Sequence, residues 1–471
     1  MKLINEIYIN GEFVKPNGTE TFDLINPSNQ ELLGKVTLGD ATDTQRAIAA
    51  AKEAFKTFSK TSKEDRIAYL EKMYAAVLKR KQELIDIMVL EYGGALQFST
   101  LAFEFAISSI TSNIEILKNF EFNKKAGSAN VMLNPVGVVG IITPWNSNNG
   151  FICTKLSTAI AAGCTAVIKP SEMSAMQTQL ITECLHEVGL PKGVFNIVNG
   201  LGNVVGAEIT KSSDIAKISF TGSTIVGKTI ARDGAETIKR ITLELGGKSA
   251  NIIMEDADLS VAIPQSLGLA YMNSGQACIA ATRLLVPESK LDEVKDVIKS
   301  SMAHIKVGNP SDASSNIGPM VSKKQYDRVQ NYIKIGIEEG AEVLVGGVGH
   351  PEGLESGNFV KPTVFVNVNN QMRIAREEIF GPVLSVIAYK TLDDAIEIAN
   401  DTTYGLAAYV QGTDEAKAYE VATKLEAGTV AVNGFKHEAL APFGGVKQSG
   451  IGREFGEYGL EEYLEVKTIL S

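Results

Sequence analysis

Residues 136 to 146 read Val-Gly-Val-Val-Gly-Ile-Ile-Thr-Pro-Trp-Asn. The short apolar run within this stretch is rich in Val and Ile, which is typical of a buried β-strand. We predict a strand over residues 138–143, followed by a turn at Pro144-Trp145-Asn146 and then a helix. The residues that follow repeat this change from strand to helix, and this repetition indicates an α/β fold.

The alternation continues to residue 245. Short β-branched runs that alternate with helical patterns predict a parallel sheet covered by helices on both faces. In such sheets, ligands bind at the carboxyl ends of the strands. The predicted strands are residues 138–143, 165–169, 194–198, 217–221 and 241–245, and the predicted helices are 155–162, 176–188, 204–210 and 225–232.

The residues at these strand ends include glycines and charged side chains, in segments 144–146, 169–172, 199–202, 222–223 and 244–248. Glycines let backbone N–H groups approach a pyrophosphate, and a helix N-terminus that follows favours its negative charge. Lys169 and Glu172 could reach ribose hydroxyls. Gly200-Leu201-Gly202 lacks the full dinucleotide fingerprint because Gly206 falls one residue late, so a tight turn explains it equally well.

Two further regions flank this series. Before it, Asn10-Gly11 predicts a β-hairpin within residues 4–13, and helices are predicted over residues 42–58, 63–92 and 97–120. After residue 247 a second α/β series begins. Its predicted strands are residues 283–286, 359–368, 383–389, 407–410 and 429–433, and its helices are 291–304, 323–339, 392–400 and 415–425.

One segment fits neither series. Residues 123–134 show no helical periodicity and no core-like run, which indicates a crossing strand or an arm that leaves the first domain. An oligomer contact and an ordinary surface connection account for this segment equally well. The tail over residues 461–470 alternates like a strand and could pair with the arm.

Composition argues against several classes of protein. The 471 residues are 44% hydrophobic and 21% charged, an ordinary globular balance. The net charge of −10 disfavours a nucleic-acid or anionic-membrane partner. The N-terminus lacks the apolar core of a signal peptide, and no apolar run is long enough to span a bilayer. We therefore expect a soluble, cytoplasmic protein without a membrane or nucleic-acid partner.

The cysteines and histidines are scattered. Cys153, Cys164, Cys184 and Cys278 show no paired spacing, so we expect free thiols. The four histidines are also far apart in sequence, and we expect no metal site. Cys278 ends the run Tyr-Met-Asn-Ser-Gly-Gln-Ala-Cys at 271–278, where a turn and small residues leave room for a substrate. A lone cysteine is nevertheless more often a small buried residue than a nucleophile.

Several separated segments, taken in order, resemble the aldehyde dehydrogenase superfamily of the hydrolytic type. The resemblance covers nearly the whole chain, from Asn10-Gly11 to residues 465–468. Any one segment could arise by chance, but the ordered set is specific and favours Cys278 as a nucleophile. The segments are Pro144-Trp145-Asn146, Lys169-Pro170-Ser171-Glu172, Phe220-Thr221-Gly222-Ser223, Leu243-Glu244-Leu245-Gly246-Gly247-Lys248, Gly275-Gln276-Ala277-Cys278, Glu377-Glu378-Ile379-Phe380-Gly381-Pro382 and Pro442-Phe443-Gly444-Gly445.

The resemblance implies an α/β fold of the aldehyde dehydrogenase type with three parts. A Rossmann-like NAD-binding domain is expected over residues 1–121 and 136–246, and a catalytic α/β domain over residues 247–450. A small β oligomerisation arm with the C-terminal segment is expected over residues 122–135 and 451–471. Members of the superfamily are usually dimers or tetramers, so a homodimer or homotetramer is expected.

The resemblance also implies the roles of the catalytic residues. Cys278 attacks the aldehyde as a thiolate, because the resulting alkoxide expels hydride far more readily than the aldehyde does. The Asn146 side chain and the backbone N–H of Cys278 stabilise the oxyanion. Glu244 is the general base that hydrolyses the thioester. Lys155 and Glu457 match positions that relay protons or support the site.

Cofactor residues follow from the same resemblance, which implies NAD. Glu378 matches the nicotinamide-ribose ligand and Phe380 the ring beside the nicotinamide. The carboxylate of Glu172 should repel a 2′-phosphate, so we expect a preference for NAD over NADP. The remaining positions that match cofactor contacts are Trp145, Lys169, Gly202, Gly222, Ser223 and Leu245.

The chain departs from the superfamily pattern around the substrate tunnel. Many members carry an aromatic residue and a proline after the position of Asn146, and a large aromatic eight residues after it. This chain has Ser147-Asn148-Asn149-Gly150 and Thr154 at these places, and Phe435-Lys436-His437-Glu438 in a C-terminal loop. If these residues face the tunnel, it is wider and more polar than in enzymes for fatty or aromatic aldehydes. A solvent-facing loop is the alternative.

Two other functions compete with hydrolytic aldehyde oxidation. The first is acyl transfer from the thioester to coenzyme A, which Glu244 disfavours because acylating members commonly lack that base. The second is a catalytically silent NAD-binding protein. The joint presence of Cys278, Glu244 and Asn146 disfavours it, since a silent protein needs none of these groups for chemistry.

Overall fold

A computed structural model describes residues 2–470 of the chain. It contains two large sheets, two three-stranded sheets and the helices that cover them. The strands are β1 (Lys2–Ile4), β2 (Ile7–Ile9), β3 (Glu12–Val14), β4 (Thr21–Ile25), β5 (Leu32–Thr37), β6 (Asn123–Ala126), β7 (Ala129–Pro135), β8 (Val138–Ile142), β9 (Thr165–Lys169), β10 (Phe195–Ile197), β11 (Lys217–Thr221), β12 (Arg240–Glu244), β13 (Ala250–Ile253), β14 (Arg283–Pro287), β15 (Glu342–Val345), β16 (Thr363–Val366), β17 (Val383–Tyr389), β18 (Ala407–Gln411), β19 (Thr429–Val432), β20 (Gly450–Ile451) and β21 (Leu464–Ile469).

The helices lie mainly between strands of the two large sheets, as expected for an α/β protein. Short 3₁₀ and π turns extend or join several of them. The α-helices are α1 (Ala41–Phe58), α2 (Lys63–Lys79), α3 (Lys81–Ile87), α4 (Leu96–Asn119), α5 (Asn148–Ala162), α6 (Ala175–Glu187), α7 (Ala207–Lys211), α8 (Thr224–Ala235), α9 (Leu259–Tyr271), α10 (Leu291–Met302), α11 (Lys323–Glu338), α12 (Arg373–Arg376), α13 (Leu392–Asn400), α14 (Glu415–Thr423) and α15 (Gly456–Glu461).

The first large sheet confirms the predicted series of parallel strands. Its eight strands run in the order β20-β12-β11-β8-β9-β10-β2-β3. The five from β12 to β10 are parallel to their neighbours, whereas β20, β2 and β3 pair antiparallel at the two edges. Every residue of β8, β9 and β11 is buried, because helices cover both faces. The predicted hairpin at Asn10-Gly11 is the β2–β3 pair.

The second large sheet has seven strands in the order β15-β16-β17-β14-β13-β18-β19. All neighbours are parallel except β15 and β16. The sequence predicted this series but not β13 or α9. Along the chain, these two elements lie between β12 and Cys278. The two sheets together confirm the mixed α/β class, while the domain boundaries at residues 121, 136 and 246 stay a prediction.

The arm and the tail form a sheet of their own. Strand β7 lies between β21 and β6 and is antiparallel to both. Residues 464–469 pair with residues 130–135, so the predicted pairing of the tail with the arm is confirmed. All four residues of β6 and five of the six residues of β21 are exposed.

Several predicted elements differ from the structure, among them the helix over residues 155–162, which begins at Asn148. The single helix over residues 63–92 is divided at Arg80, whose backbone leaves helical geometry while its guanidinium pairs with Glu83 and Glu183. The strand over 359–368 is confined to Thr363–Val366, because Pro362 has no N–H to donate and Asn367 has a φ of 55°. The helix over 204–210 begins earlier, with a π turn at Gly202–Gly206.

Helix packing fixes α5 beneath the first sheet. Asn113 on α4 donates hydrogen bonds to the hydroxyls of Ser157 and Thr158 on α5, at 2.9 and 3.2 Å. The surrounding cluster of buried apolar side chains joins α2, α4, α5 and α6 to β8–β10. None of the helices between residues 2 and 470 is long and apolar enough to cross a membrane.

We propose that the β21-β7-β6 sheet is the oligomer contact. Val466 is 62% exposed on an edge strand, which leaves apolar surface for a second copy. A Val466→Lys substitution should therefore lower the mass of the assembly measured by light scattering after gel filtration. The control Val348→Lys, at an exposed valine outside this sheet, should keep the wild-type mass. A wild-type mass equal to the 50.5 kDa chain would contradict the proposal.

Candidate active site

The turn after β12 brings the two large sheets into contact at the site. Glu244 is the last residue of β12, and Gly246-Gly247 follow it. A Cβ added at Gly247 would lie 2.5 Å from the carbonyl oxygen of Cys278, and one at Gly246 would collide with the carboxylate of Glu378. The Gly247 N–H donates to Glu378 Oε1 at 3.1 Å. Glu244, Cys278 and Glu378 come from three distant segments of the sequence, and all three therefore lie around the Gly246-Gly247 pair.

The segment that leads into Cys278 adopts an unusual backbone conformation. Asn273, Ser274 and Gly275 have φ values of 52°, 58° and 71°, and a Cβ at Gly275 would collide with the Gly381 carbonyl. Such conformations persist only where the surroundings hold them, and they are common at functional sites. Here Asn273 accepts a hydrogen bond from the Tyr92 hydroxyl at 2.8 Å, and Ser274 Oγ accepts one from the Gly318 N–H at 2.9 Å.

Asn146 lies directly beside the cysteine loop. Its side-chain Nδ2 donates to the Gln276 carbonyl at 3.0 Å, and its own carbonyl accepts a hydrogen bond from Asn273 at 3.2 Å. An asparagine amide carries two N–H donors, so one donor remains beyond the bond to Gln276. Gln276 is itself held by Tyr92 and by the Val321 N–H. The loop thus holds the Asn146 amide against the carbonyl of Gln276, which is two residues before Cys278 in the chain.

The surroundings of Cys278 disfavour its thiolate. Burial and the negative charges of Glu378 and Glu244 raise the pKa of Cys278 to about 12, although the backbone N–H groups of Cys278 and Ile279 lower it. Those N–H groups therefore point toward the sulfur and toward any oxyanion that forms next to it. The other three cysteines are buried free thiols, so the predicted absence of disulfides is confirmed among residues 2–470.

Glu244 is a buried carboxyl group with unused hydrogen-bonding capacity. Its side chain is 4% exposed, and neither oxygen has a hydrogen-bond partner among the described residues. Burial raises the pKa of Glu244 well above its ordinary value, and Glu454 raises it further, whereas Lys155 and Arg453 lower it. A carboxyl group with a raised pKa is suited to accept a proton near neutral pH.

Lys155 pairs with Glu454, which corrects the prediction for Glu457. The Lys155 ammonium forms a buried ion pair with Glu454 and donates to Ser219 Oγ at 3.0 Å. Glu457 lies three residues later and is exposed. Phe455 and Gly456 both have a φ of 62°, so the chain reverses direction between the two glutamates before α15 begins. The sequence analysis named Glu457 alone, and the structure places Glu454 at Lys155 instead.

Aromatic rings and Glu378 define the side of the site opposite Glu244. Trp145 and Phe380 meet edge to face with ring centroids 5.4 Å apart. Phe380 has a φ of 63°, and Arg328 and Gln325 hold the carbonyls of residues 378–380. Burial raises the pKa of Glu378 to about 7, although the Gly247 N–H, Arg328 and Lys248 lower it.

The other predicted cofactor residues lie at or after the ends of β9, β10, β11 and β12. Lys169 forms an ion pair with Glu172 at 3.3 Å, and its stem lies 4.0 Å from where a Cβ at Gly206 would stand. Ser223 caps α8, and the side chain of Leu245 packs against Gly227 of that helix. Gly202 has open space where a side chain would stand, while a Cβ at Gly222 would collide with the ring of Phe220.

The residues expected in the tunnel divide into two groups. Ser147 lies beside Gly150, and a Cβ at Gly150 would reach both Ser147 Oγ and the Phe105 ring. Thr154 is buried one helical turn further along α5. Asn148 instead donates to Thr178 Oγ1 at 3.0 Å on another face of α5.

The C-terminal loop contributes an aromatic cluster that the sequence did not predict. His437 lies between Phe105 and Phe455, with centroid distances of 5.0 and 5.1 Å. Phe435 packs against Tyr409, whereas Lys436 and Glu438 are exposed. Phe105 therefore connects the start of α5, at Gly150, with the rings of His437 and Phe455. Phe105 and Phe455 carried no local signal, because neither belongs to a recognisable segment.

Comparison with known proteins agrees with this arrangement. The sequence profile of the aldehyde dehydrogenase family matches residues 13–469. A putative aldehyde dehydrogenase from Staphylococcus aureus is 45% identical over 463 residues, covering 98% of each chain.

Solved structures show the same fold. A mutant of aldehyde dehydrogenase C from Pseudomonas syringae, in complex with NAD+ and octanal, has a TM-score of 0.98 at 42% identity, covering 99% of this chain and 96% of that one. Betaine aldehyde dehydrogenase from S. aureus, in complex with NAD+, has a TM-score of 0.96 at 38% identity, covering 99% and 94%. The chain therefore belongs to the aldehyde dehydrogenase family.

Proposed function

We propose that the protein oxidises an aldehyde to its carboxylic acid with NAD, through a thiohemiacetal and a thioester on Cys278. The observation that carries this proposal is the meeting of Cys278, Asn146 and Glu244 around the Gly246-Gly247 turn. A nucleophile, an oxyanion donor and a base are the three groups that this reaction requires.

The residues around the site fit NAD. The Glu378 carboxylate can accept hydrogen bonds from ribose hydroxyls. At the second ribose the Glu172 carboxylate can accept hydrogen bonds and the Lys169 ammonium can donate them. Gly202 leaves open space beside the Gly202–Gly206 turn, where a pyrophosphate can approach the backbone. Ile225 at the start of α8 is 80% exposed and supplies apolar surface for an adenine ring. When bound, NAD accepts the hydride from the reacting carbon.

The first half of the reaction uses Cys278 and Asn146. The thiolate attacks the carbonyl carbon, and the carbonyl oxygen becomes an alkoxide. The Asn146 amide and the Cys278 backbone N–H donate to this alkoxide, and removal of one such donor typically costs about 10²–10³ in rate. Loss of hydride then leaves the thioester on the sulfur.

The second half of the reaction uses Glu244. Its carboxylate takes a proton from water, the water oxygen attacks the thioester carbon, and the Cys278 thiolate departs. The buried pair of Lys155 and Glu454 lies next to Glu244 and sets the charge around it. The presence of this base favours hydrolysis of the thioester over transfer of its acyl group to coenzyme A.

Substitution of the nucleophile and of the base should give different kinetics. Cys278→Ala should reduce NADH formation to background. Glu244→Gln should retain a burst of one NADH per active site, followed by turnover that is about 10²–10⁴ slower, because only deacylation needs the base. Stopped-flow absorbance at 340 nm, which follows NADH formation, distinguishes the Cys278→Ala variant from the Glu244→Gln variant.

The control for this experiment is Glu236→Gln, at an exposed glutamate, which should behave like wild type. Coenzyme A should not raise the wild-type rate. Undiminished NADH production by Cys278→Ala would overturn the nucleophile assignment, and a Glu244→Gln enzyme with wild-type turnover would overturn the role of the base.

The raised pKa of Cys278 predicts how its alkylation depends on pH. Only the thiolate reacts with iodoacetamide, so alkylation should be slow at neutral pH and accelerate as pH rises toward the pKa. Glu378 is charged above its own pKa of about 7, and this charge disfavours the thiolate. Glu378→Gln should therefore move the alkylation profile to lower pH. The neighbouring Glu377→Gln, which removes a partner of Arg373, should leave it in place; a shift to higher pH in Glu378→Gln would contradict the assignment.

Glu172 predicts cofactor preference. Its carboxylate, next to Lys169, should repel a 2′-phosphate, so kcat/KM should favour NAD over NADP by at least about tenfold. Glu172→Gln should narrow this ratio, mainly by improving use of NADP. The measurement is kcat/KM for both cofactors in both proteins, and a wild-type preference for NADP would refute the prediction.

A further inference from the structure

A run of contacting groups leads from the Glu244 carboxyl group to the C-terminal loop. A Cβ at Gly444 would lie 2.6 Å from Glu244 Oε1, and Phe443 directly precedes that glycine. The Phe443 ring meets the Phe455 ring edge to face, with centroids 6.3 Å apart. The Phe455 ring in turn contacts the imidazole of His437, with centroids 5.1 Å apart. Two aromatic contacts therefore connect His437 with the segment beside Glu244.

The run continues from His437 to Asn146. The Phe105 ring lies 5.0 Å from the His437 ring between centroids, and it would lie 3.0 Å from a Cβ at Gly150. The same Cβ would lie 2.7 Å from Ser147 Oγ. Ser147 directly follows Asn146, whose amide donates to the loop that carries the cysteine. The run thus begins at one predicted catalytic residue and ends at another.

Two buried polar atoms along this run have no hydrogen-bond partner among the described residues. They are His437 Nε2 and Thr154 Oγ1. Thr154 is 2% exposed and follows Gly150 by four residues in α5, so the two positions share one face of the helix. Because a buried polar atom without a partner is destabilising, such atoms in a folded protein indicate that a partner binds there.

The chemistry of the two atoms indicates which group binds them. Burial lowers the pKa of His437, although Glu438 raises it, so the imidazole is neutral at neutral pH. A neutral imidazole nitrogen, according to its tautomer, and a threonine hydroxyl can each donate or accept a hydrogen bond without carrying charge. A hydroxyl group is both a donor and an acceptor, so it can bind both atoms at once.

Two other groups that aldehydes commonly carry fit less well. A carboxylate is bound most strongly by a charged donor such as arginine, and neither His437 nor Thr154 supplies a positive charge at neutral pH. A quaternary ammonium group can lie against aromatic rings, but it has no donor or acceptor for the two unpartnered atoms. The pair therefore favours a neutral hydroxylated chain.

We propose that His437 and Thr154 select a hydroxylated aldehyde by binding its hydroxyl group while its carbonyl group lies at Cys278. This inference rests on the proposed function, because Glu244 and Asn146, at the two ends of the run, are expected to act at the reacting carbon. The aromatic rings of the run would contact the carbon chain between the two polar groups. The missing side chain at residue 150 leaves room beside them.

A purely structural role for the two residues predicts something different. If His437 and Thr154 only fill space, apolar replacements of the same shape should change the use of all aldehydes alike. If they bind a hydroxyl group, such replacements should weaken the use of hydroxylated aldehydes alone. An alkanal should then be used as well as before or better, because its methyl group no longer leaves polar atoms unpaired.

The first measurement compares matched aldehydes in the full-length wild-type protein with saturating NAD. Each ω-hydroxyaldehyde of two to five carbons is paired with the alkanal in which a methyl group replaces the hydroxyl. At least one hydroxylated member should have a kcat/KM at least about tenfold above that of its methyl counterpart. Betaine aldehyde and succinic semialdehyde, which carry a quaternary ammonium and a carboxylate, should be used less well than that member.

The second measurement repeats the comparison in two variants. His437→Phe keeps a ring between Phe105 and Phe455, and Thr154→Val keeps the branched shape of the side chain. Each should lower the preference for the hydroxylated member toward one, mainly by raising its KM. The matched control is His350→Phe, because His350 also has an unpartnered buried ring nitrogen among residues 2–470 but stacks on Tyr326, outside the run; it should keep the wild-type preference.

Failure of this inference is distinguishable from failure of the proposed function. Equal use of every matched pair by the wild type would overturn the inference and leave aldehyde oxidation intact. So would a preference for betaine aldehyde or the semialdehyde, or a hydroxyl preference that survives in both variants. Absence of NADH formation with every aldehyde would instead overturn the proposed function, and the inference with it.

Discussion

The close approach of the Gly246-Gly247 turn to Cys278 and Glu378 is the constraint on which the site depends. No side chain can stand at either glycine without colliding with the Glu378 carboxylate or the Cys278 carbonyl. The turn follows the last residue of β12, so the first sheet positions Glu244 while the second sheet, through α9 and the strained turn at Asn273–Gly275, positions Cys278. Contact through backbone atoms leaves the space between the sheets to the substrate and the cofactor.

Burial has the same effect on all three acidic groups of the site. It raises the pKa of Cys278, Glu244 and Glu378, because the charged form of each loses contact with water. The groups also disfavour one another's negative charge.

The sequence predicted most elements, since β-branched runs and helical spacing persist in the structure and the glycine-rich strand ends mark the edge where the site lies. The resemblance to the aldehyde dehydrogenase superfamily also assigned Cys278, Asn146 and Glu244 to one site, and their roles stay a prediction. It assigned Glu457 instead of Glu454 to the neighbourhood of Lys155, because the positions of the two glutamates depend on the positive φ values at Phe455 and Gly456. Phe105 and His437 meet only after α4 and a distant loop pack together, which no local pattern records.

The C-terminal segment joins the site to the arm. Strand β20 pairs with β12 directly beside Glu244, Glu454 then pairs with Lys155, and β21 adds to β7 of the arm. Glu462 and Tyr463 lie immediately before β21, so the groups that surround the buried ion pairs are fixed by the same strand that completes the three-stranded sheet. The residues that neighbour Glu244 and the strand that completes the three-stranded sheet therefore belong to one continuous C-terminal segment.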